Sequence, residues 1–106
     1  MIICRITENE YLQLVYLDDM ASRIDSLQVR ISFKEIPFIE NFLYKALKRI
    51  QASTNTVDAE TITEGAYSIC LYPAIRKAII TLRGETIKLH FDTISELKNK
   101  LASLAQ

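Results

Sequence analysis

Glycine and proline are scarce in this chain. Its 106 residues include two of each, against roughly 12% for the pair in average proteins. With Gly65 and Gly84 alone, no Gly-x-Gly-x-x-Gly fingerprint, P-loop or Gly-x-Ser-x-Gly elbow can be assembled. Tryptophan is absent, and His90 is the single histidine. Two cysteines, Cys4 and Cys70, and His90 are the soft metal ligands, and they show no Cys-x-x-Cys or His-x-x-x-His spacing. No metal and no cofactor is expected. Long apolar runs are missing as well. Ile2-Ile3-Cys4 is broken by Arg5, too short for an export signal, and nothing approaches the roughly 18 residues of a membrane helix. The expectation is a cytoplasmic chain without a membrane segment, with both cysteines as reduced thiols packed among apolar neighbours.

A charge excess of either sign is also lacking. Thirteen basic and thirteen acidic residues cancel, unlike the basic balance usual in a dedicated DNA-binding domain. What is present is an ordinary globular mixture, 49% hydrophobic and 25% charged, long enough for one domain over residues 1–106.

Periodicity supplies the elements. Leu27, Val29, Ile31 and Phe33 alternate and predict a half-buried strand. Phe38, Ile39, Phe42, Leu43, Ala46, Leu47 and Ile50 recur at three- and four-residue steps, predicting a helix over 37–51 that begins at Pro37. Gly84-Glu85 reads as a two-residue type II′ hairpin loop. That loop would pair Leu82 with Ile87, Ile80 with Leu89 and Ala78 with Phe91, leaving Ala78, Ile80, Leu82, Ile87, Leu89 and Phe91 on one inner face. A C-terminal helix is expected from Thr93, with Glu96 completing a capping box and Ile94, Leu97, Leu101 and Leu104 as its seam. Residues 1–6 and 66–72 read as strands, and the polar stretch 53–63 as a loop. Residues 10–24 fit a helix through Thr7-x-x-Glu10, Leu14, Leu17, Ala21 and Ile24, with a central strand as the competing reading. The fold class is α+β: a largely antiparallel sheet with a C-terminal β-hairpin, packed against two or three helices.

Two surfaces stand out. Along the chain the charge runs −3 over residues 1–26, +3 over 27–52, −3 over 53–66 and +3 over 67–106. Asp18, Asp19, Asp25, Asp58, Glu60 and Glu64 would form an acidic patch if the two acidic segments meet, and such a patch steers a basic protein. The hairpin's outer face offers Lys77, Arg83, Lys88 and His90, which could hold phosphates but lack aromatic residues for base stacking. His90 has no visible catalytic partner. The first reading is therefore a non-catalytic protein-binding module, an immunity- or antitoxin-like inhibitor of the bacterial kind that occludes a basic toxin or nuclease. A nucleic-acid-binding regulator using the hairpin face is the alternative. A homo-oligomer built through a sheet edge or the C-terminal helix is the third reading.

Overall fold

The structure, a computed structural model, describes residues 1–18, 23–52 and 58–104. Three strands come first: β1 (Ile2–Ile6), β2 (Tyr11–Asp18) and β3 (Arg23–Arg30). Helix α1 (Ile36–Ala52) follows, then β4 (Glu60–Glu64), β5 (Tyr67–Tyr72), β6 (Lys77–Leu82), β7 (Glu85–His90) and helix α2 (Phe91–Leu104). The strands form two antiparallel sheets, β1-β2-β3 and β4-β5-β6-β7. Both send alternate residues into a single buried cluster that also takes the apolar stripes of α1 and α2. The result is an α+β fold with both helices on the inner side of the strands.

Within 10–24, residues 11–18 and 23–24 are strand rather than helix, and 19–22 lie outside the described residues. Leu12, Leu14 and Tyr16 are buried at every second position, and they pair across β3 with Val29, Leu27 and Asp25. The helical seam fails because Ile24 points the other way and is 74% exposed, while Ala21 lies outside the described residues. The Thr7-x-x-Glu10 pattern forms the β1–β2 turn. Thr7 Oγ1 accepts from the Tyr11 N–H at 3.1 Å, and Glu10 takes the left-handed conformation at φ 63°.

The strand expected at 27–33 instead covers 23–30, and Phe33 moves into a short 3-10 turn, 51% exposed. Phe38, assigned to the helix stripe, is 67% exposed, and Ile36 takes the buried position two turns before Leu43. Part of the expected 53–63 loop is β4, whose Ile62 pairs with Ile69.

The C-terminal hairpin forms with a different turn. Arg83 (φ 48°) and Gly84 (φ 87°) are the loop residues, both left-handed as a type I′ turn requires. Ile80 therefore faces Ile87, and Ala78 faces Leu89. Moving the loop by one residue slides each partner by two, so the inner face keeps its parity and Phe91 leaves the strand. Phe91 instead opens α2, its N–H held by the Arg76 carbonyl at 2.9 Å. The capping box at Thr93 is not made. Glu96 reaches across to the Ile2 N–H at 3.3 Å, and Lys100 donates to the Ile2 carbonyl, so α2 covers the start of the β1 edge.

Phe42 is fully buried, with its ring 6.0 Å from Tyr67. Phe42→Ala should lower the unfolding free energy by about 3–5 kcal/mol. Phe38→Ser should change it by no more than about 0.5 kcal/mol. Denaturant titration of the two variants tests the assignment, and equal losses would contradict it.

Candidate functional site

Strand β3 runs beside β7, yet no backbone ladder joins them. A side chain takes that role. Asp25 Oδ2 accepts from the Lys88 N–H at 2.8 Å, while Asp25 Oδ1 accepts from the Ser26 N–H at 2.9 Å. Where the strands are not zipped together a cleft of about 140 Å³ opens, lined by Tyr16, Asp18, Ile24, Asp25, Lys77, Lys88 and His90. Its walls differ in sign. Sheet β1-β2-β3 contributes Asp18 and Asp25, and the other sheet contributes Lys77, Lys88 and His90. The register brings those three together on one face, since Lys77 pairs with His90 and Lys88 with Ile79 two positions along. His90 also closes the start of α2: its Nδ1 lies 3.5 Å from the Asp92 N–H and 3.5 Å from Asp92 Oδ2.

The acidic segments expected to meet are separated. Strand β4 is the far edge of its sheet, with β5 and β6 between it and β7. Glu60 and Glu64 face α1, where Arg49 holds Glu60 at 2.6 Å and Lys45 holds Glu64 at 3.0 Å. Asp58 is exposed just before β4. Asp19 lies outside the described residues. Of the six acidic candidates, the structure therefore brings Asp18 and Asp25 to one place.

The basic candidates divide in the same way. Lys77, Lys88 and His90 share the cleft, whereas Arg83 is turned toward Glu35. Arg83 Nη2 reaches Glu35 Oε1 at 2.7 Å and Arg83 Nε reaches Oε2 at 3.1 Å, with Tyr67 donating its hydroxyl to Oε2 at 2.8 Å. The Arg83 hydrogen bonds, helped by the Tyr67 hydroxyl, hold the Glu35 carboxyl below its ordinary value against partial burial. Burial and the neighbouring carboxylate push the Tyr67 phenol up to about 12. This trio clamps the entry of α1 to the hairpin turn.

The outer face of β1-β2-β3 carries a second feature. Ile3 pairs with Val15, Leu17 pairs with Ile24, and Met1 exchanges main-chain bonds with Leu17. Alternation along the strands puts all five on the side away from the helices. Met1, Ile3 and Ile24 are 58%, 45% and 74% exposed. Beside them a polar row crosses the sheet, Arg5 to Gln13 to Gln28. Tyr16 and Ile24 were missed as site residues because their place depends on the β2–β3 register, which no local pattern states.

Comparison with protein-family models, curated proteins and solved structures finds no match. The site is therefore read from its own chemistry. Among the described residues no group of three or more His, Cys, Asp or Glu could hold a metal ion, and no helix is long and apolar enough to cross a membrane. Both cysteines are free and partly buried, and burial pushes the Cys4 thiol up to about 11 despite the nearby Lys100 charge.

Two outcomes follow from these ionisations. Glu35 is lowered on folding, so its contribution is present above the unfolded value of 4.5 and is lost as pH falls through the folded value. Tyr67 is raised, so its contribution is intact below pH 10.0 and is lost between there and about 12. Glu35→Gln should lower Tm at neutral pH, flatten the acid limb of Tm against pH and reduce the alkaline loss, because without the neighbouring carboxylate the Tyr67 phenol is raised less. An unchanged profile by calorimetry would show that the clamp contributes nothing. Separately, iodoacetamide at pH 8 should leave Cys4 unmodified in the native chain and label it after unfolding, since the thiolate is the reactive form. Peptide mass spectrometry reads the result, and rapid native labelling would contradict it.

Proposed function

We propose that this chain is a non-catalytic protein-binding module that docks through the outer face of β1-β2-β3. The observation that carries the reading is the apolar group Met1, Ile3, Val15, Leu17 and Ile24 on a sheet face that neither α1 nor α2 covers. Exposed apolar groups gathered in one place and rimmed by polar residues are the usual mark of a protein contact. Here the rim at one end is the Arg5–Gln13–Gln28 row. An apolar centre with a polar rim is the anatomy of a specific interface.

The partner is a basic protein with an apolar centre of its own; Asp18 and Asp25 alternate to the other side of the sheet and act on it as steering charges rather than as contacts. The role is that of an immunity- or antitoxin-like inhibitor, blocking a toxin or nuclease by covering its basic cleft. Glu60 and Glu64 drop out of the contact set, because α1 already neutralises them. The nucleic-acid reading loses support, because Arg83 is committed to Glu35 and the remaining cations share their cleft with two carboxylates.

Pull-downs from lysate of the source cells, run in parallel with wild type, Ile24→Glu and Glu60→Lys, test the reading. A protein retained by wild type and Glu60→Lys but lost with Ile24→Glu is the expected result. With that protein purified, Asp18→Asn should slow association most at low salt. Equal retention by Ile24→Glu would remove the sheet face from the reading, and a loss with Glu60→Lys alone would move the contact to β4.

A further inference from the structure

The two sheets have four edges, β1, β3, β7 and β4. Strands β3 and β7 face each other, and Asp25 takes the Lys88 N–H between them. On β1, Met1 exchanges main-chain bonds with Leu17, so Ile2, Cys4 and Ile6 turn theirs outward. Glu96 and Lys100 of α2 then take both main-chain groups of Ile2. Strand β4 differs. The Arg83 N–H donates to the Ala66 carbonyl, so Ser68 and Cys70 bond to β6 while Tyr67, Ile69 and Leu71 bond to β4. Their partners Glu64, Ile62 and Glu60 are thereby satisfied, and Thr61 and Thr63 each point an N–H and a carbonyl away from the sheet. Among the described residues no hydrogen bond reaches these main-chain groups. Open edges are usually blunted by lysine, proline or a bulge. The sequence Glu60-Thr61-Ile62-Thr63-Glu64 has none of these, and its two charges are drawn toward α1 by Arg49 and Lys45.

We propose that β4 pairs with β4 of a second copy of this chain, antiparallel about a two-fold axis through Ile62, joining the two four-strand sheets into one. One register satisfies every open group. Thr61 opposite the partner's Thr63 is a hydrogen-bonded pair, and the two-fold axis repeats it. A slide of two residues either way carries a threonine of each copy past the end of the facing strand. The same register suits the side chains. Thr61 and the partner's Thr63 form a favourable cross-strand pair. Ile62, half-buried against the core, meets its own copy at the closer, non-hydrogen-bonded position. Glu60 meets the partner's Glu64, where bare carboxylates would repel. Each instead arrives with its cation from α1, Arg49 at 2.6 Å and Lys45 at 3.0 Å. The contact is small, so the dimer is a weak one. Strands β5, β6 and β7 lie between β4 and the other sheet, so the outer apolar face stays open and the pairing does not rest on the docking reading.

Sedimentation velocity and amide hydrogen exchange of the full chain test the proposal. Wild type should pass from monomer to dimer with a Kd of about 100 μM. Between about 5 μM and 1 mM chain, exchange at the Thr61 and Thr63 amides should slow about fivefold, while the Cys4 and Ile6 amides keep their rates. Thr63→Pro removes an outward donor without touching the β4–β5 ladder, a place where an edge strand accepts proline. Thr61→Lys/Thr63→Lys sets like charges opposite each other and leaves the backbone alone. Each should weaken the dimer at least about tenfold, with an unchanged circular dichroism spectrum for the lysine variant. Ile24→Glu should dimerise as wild type does, so this pairing and the docking reading fail through different variants. Three results would overturn the pairing: a strict monomer at about 1 mM, a dimer of wild-type strength in the lysine variant, or Thr61 and Thr63 amides whose exchange ignores concentration.

Discussion

Among the described residues, the Asp25 carboxylate joins the two sheets where no strand pairing does. Asp25 accepts from the Lys88 N–H across the gap and from the Ser26 N–H on its own strand, so it fixes both the distance between β3 and β7 and the direction of its own side chain. Charge-assisted hydrogen bonds of this kind are roughly twice as strong as neutral ones. One such link is nevertheless far weaker than the row of bonds it replaces, and the remaining cohesion comes from beneath. Leu27 and Val29 of β3, with Ile87 and Leu89 of β7, enter the same buried cluster, and α2 reaches from the β7 end to the Ile2 main chain. The cleft follows from this arrangement. Two sheets that share a core but not a ladder part at the rim, and the side chains at the rim are then free to line an opening.

The alternating charge blocks along the chain mostly cancel in space. Acids of residues 53–66 meet bases of α1 through Lys45–Glu64 and Arg49–Glu60. Arg83 from the last block meets Glu35 from the second, through a bidentate bond that also holds a left-handed turn residue in place. These pairs are half-exposed, and individually such bridges contribute little to stability. Their greater effect is on what remains. Arg83, Glu60 and Glu64 are thereby held away from the cleft, whose charged residues are Asp18, Asp25, Lys77, Lys88 and His90.

How much was legible in the sequence depended on whether parity or contact decided the question. Parity is local. The inner face of the hairpin, from Ala78 to Leu89, was readable even though the loop was placed one residue too late, because a two-residue slide leaves the faces intact. The helix stripe was readable for the same reason, except at Phe38, where both the three- and the four-residue steps are satisfied by neighbours and only packing chooses Ile36. Contacts across the chain were not legible. Thr7-x-x-Glu10 fits a helix start and a β-turn equally well, and Leu14, paired with Leu27, belongs to a strand because β3 is there to meet it. The acidic patch failed as a unit because proximity of residues 18–25 and 53–66 required a sheet order that hydrophobic patterns do not encode.

The two sheets provide an internal comparison for the outer apolar group. Both face away from the helices, so both meet the same demand for β-forming residues that tolerate water. The four-strand sheet answers with Thr61, Thr63, Ser68, Thr81 and Thr86, interrupted by Cys70, Tyr72 and the half-buried Ile79. The three-strand sheet answers with glutamine and arginine at one end, and at the other with Met1, Ile3, Val15, Leu17 and Ile24 in adjoining register positions. If strand propensity alone selected these residues, threonine would serve at Ile3 and Ile24 as it does at Thr61 and Thr86. An aliphatic side chain left three-quarters exposed, as at Ile24, adds nothing to the core. The docking proposed for this face would give it a surface to bury against.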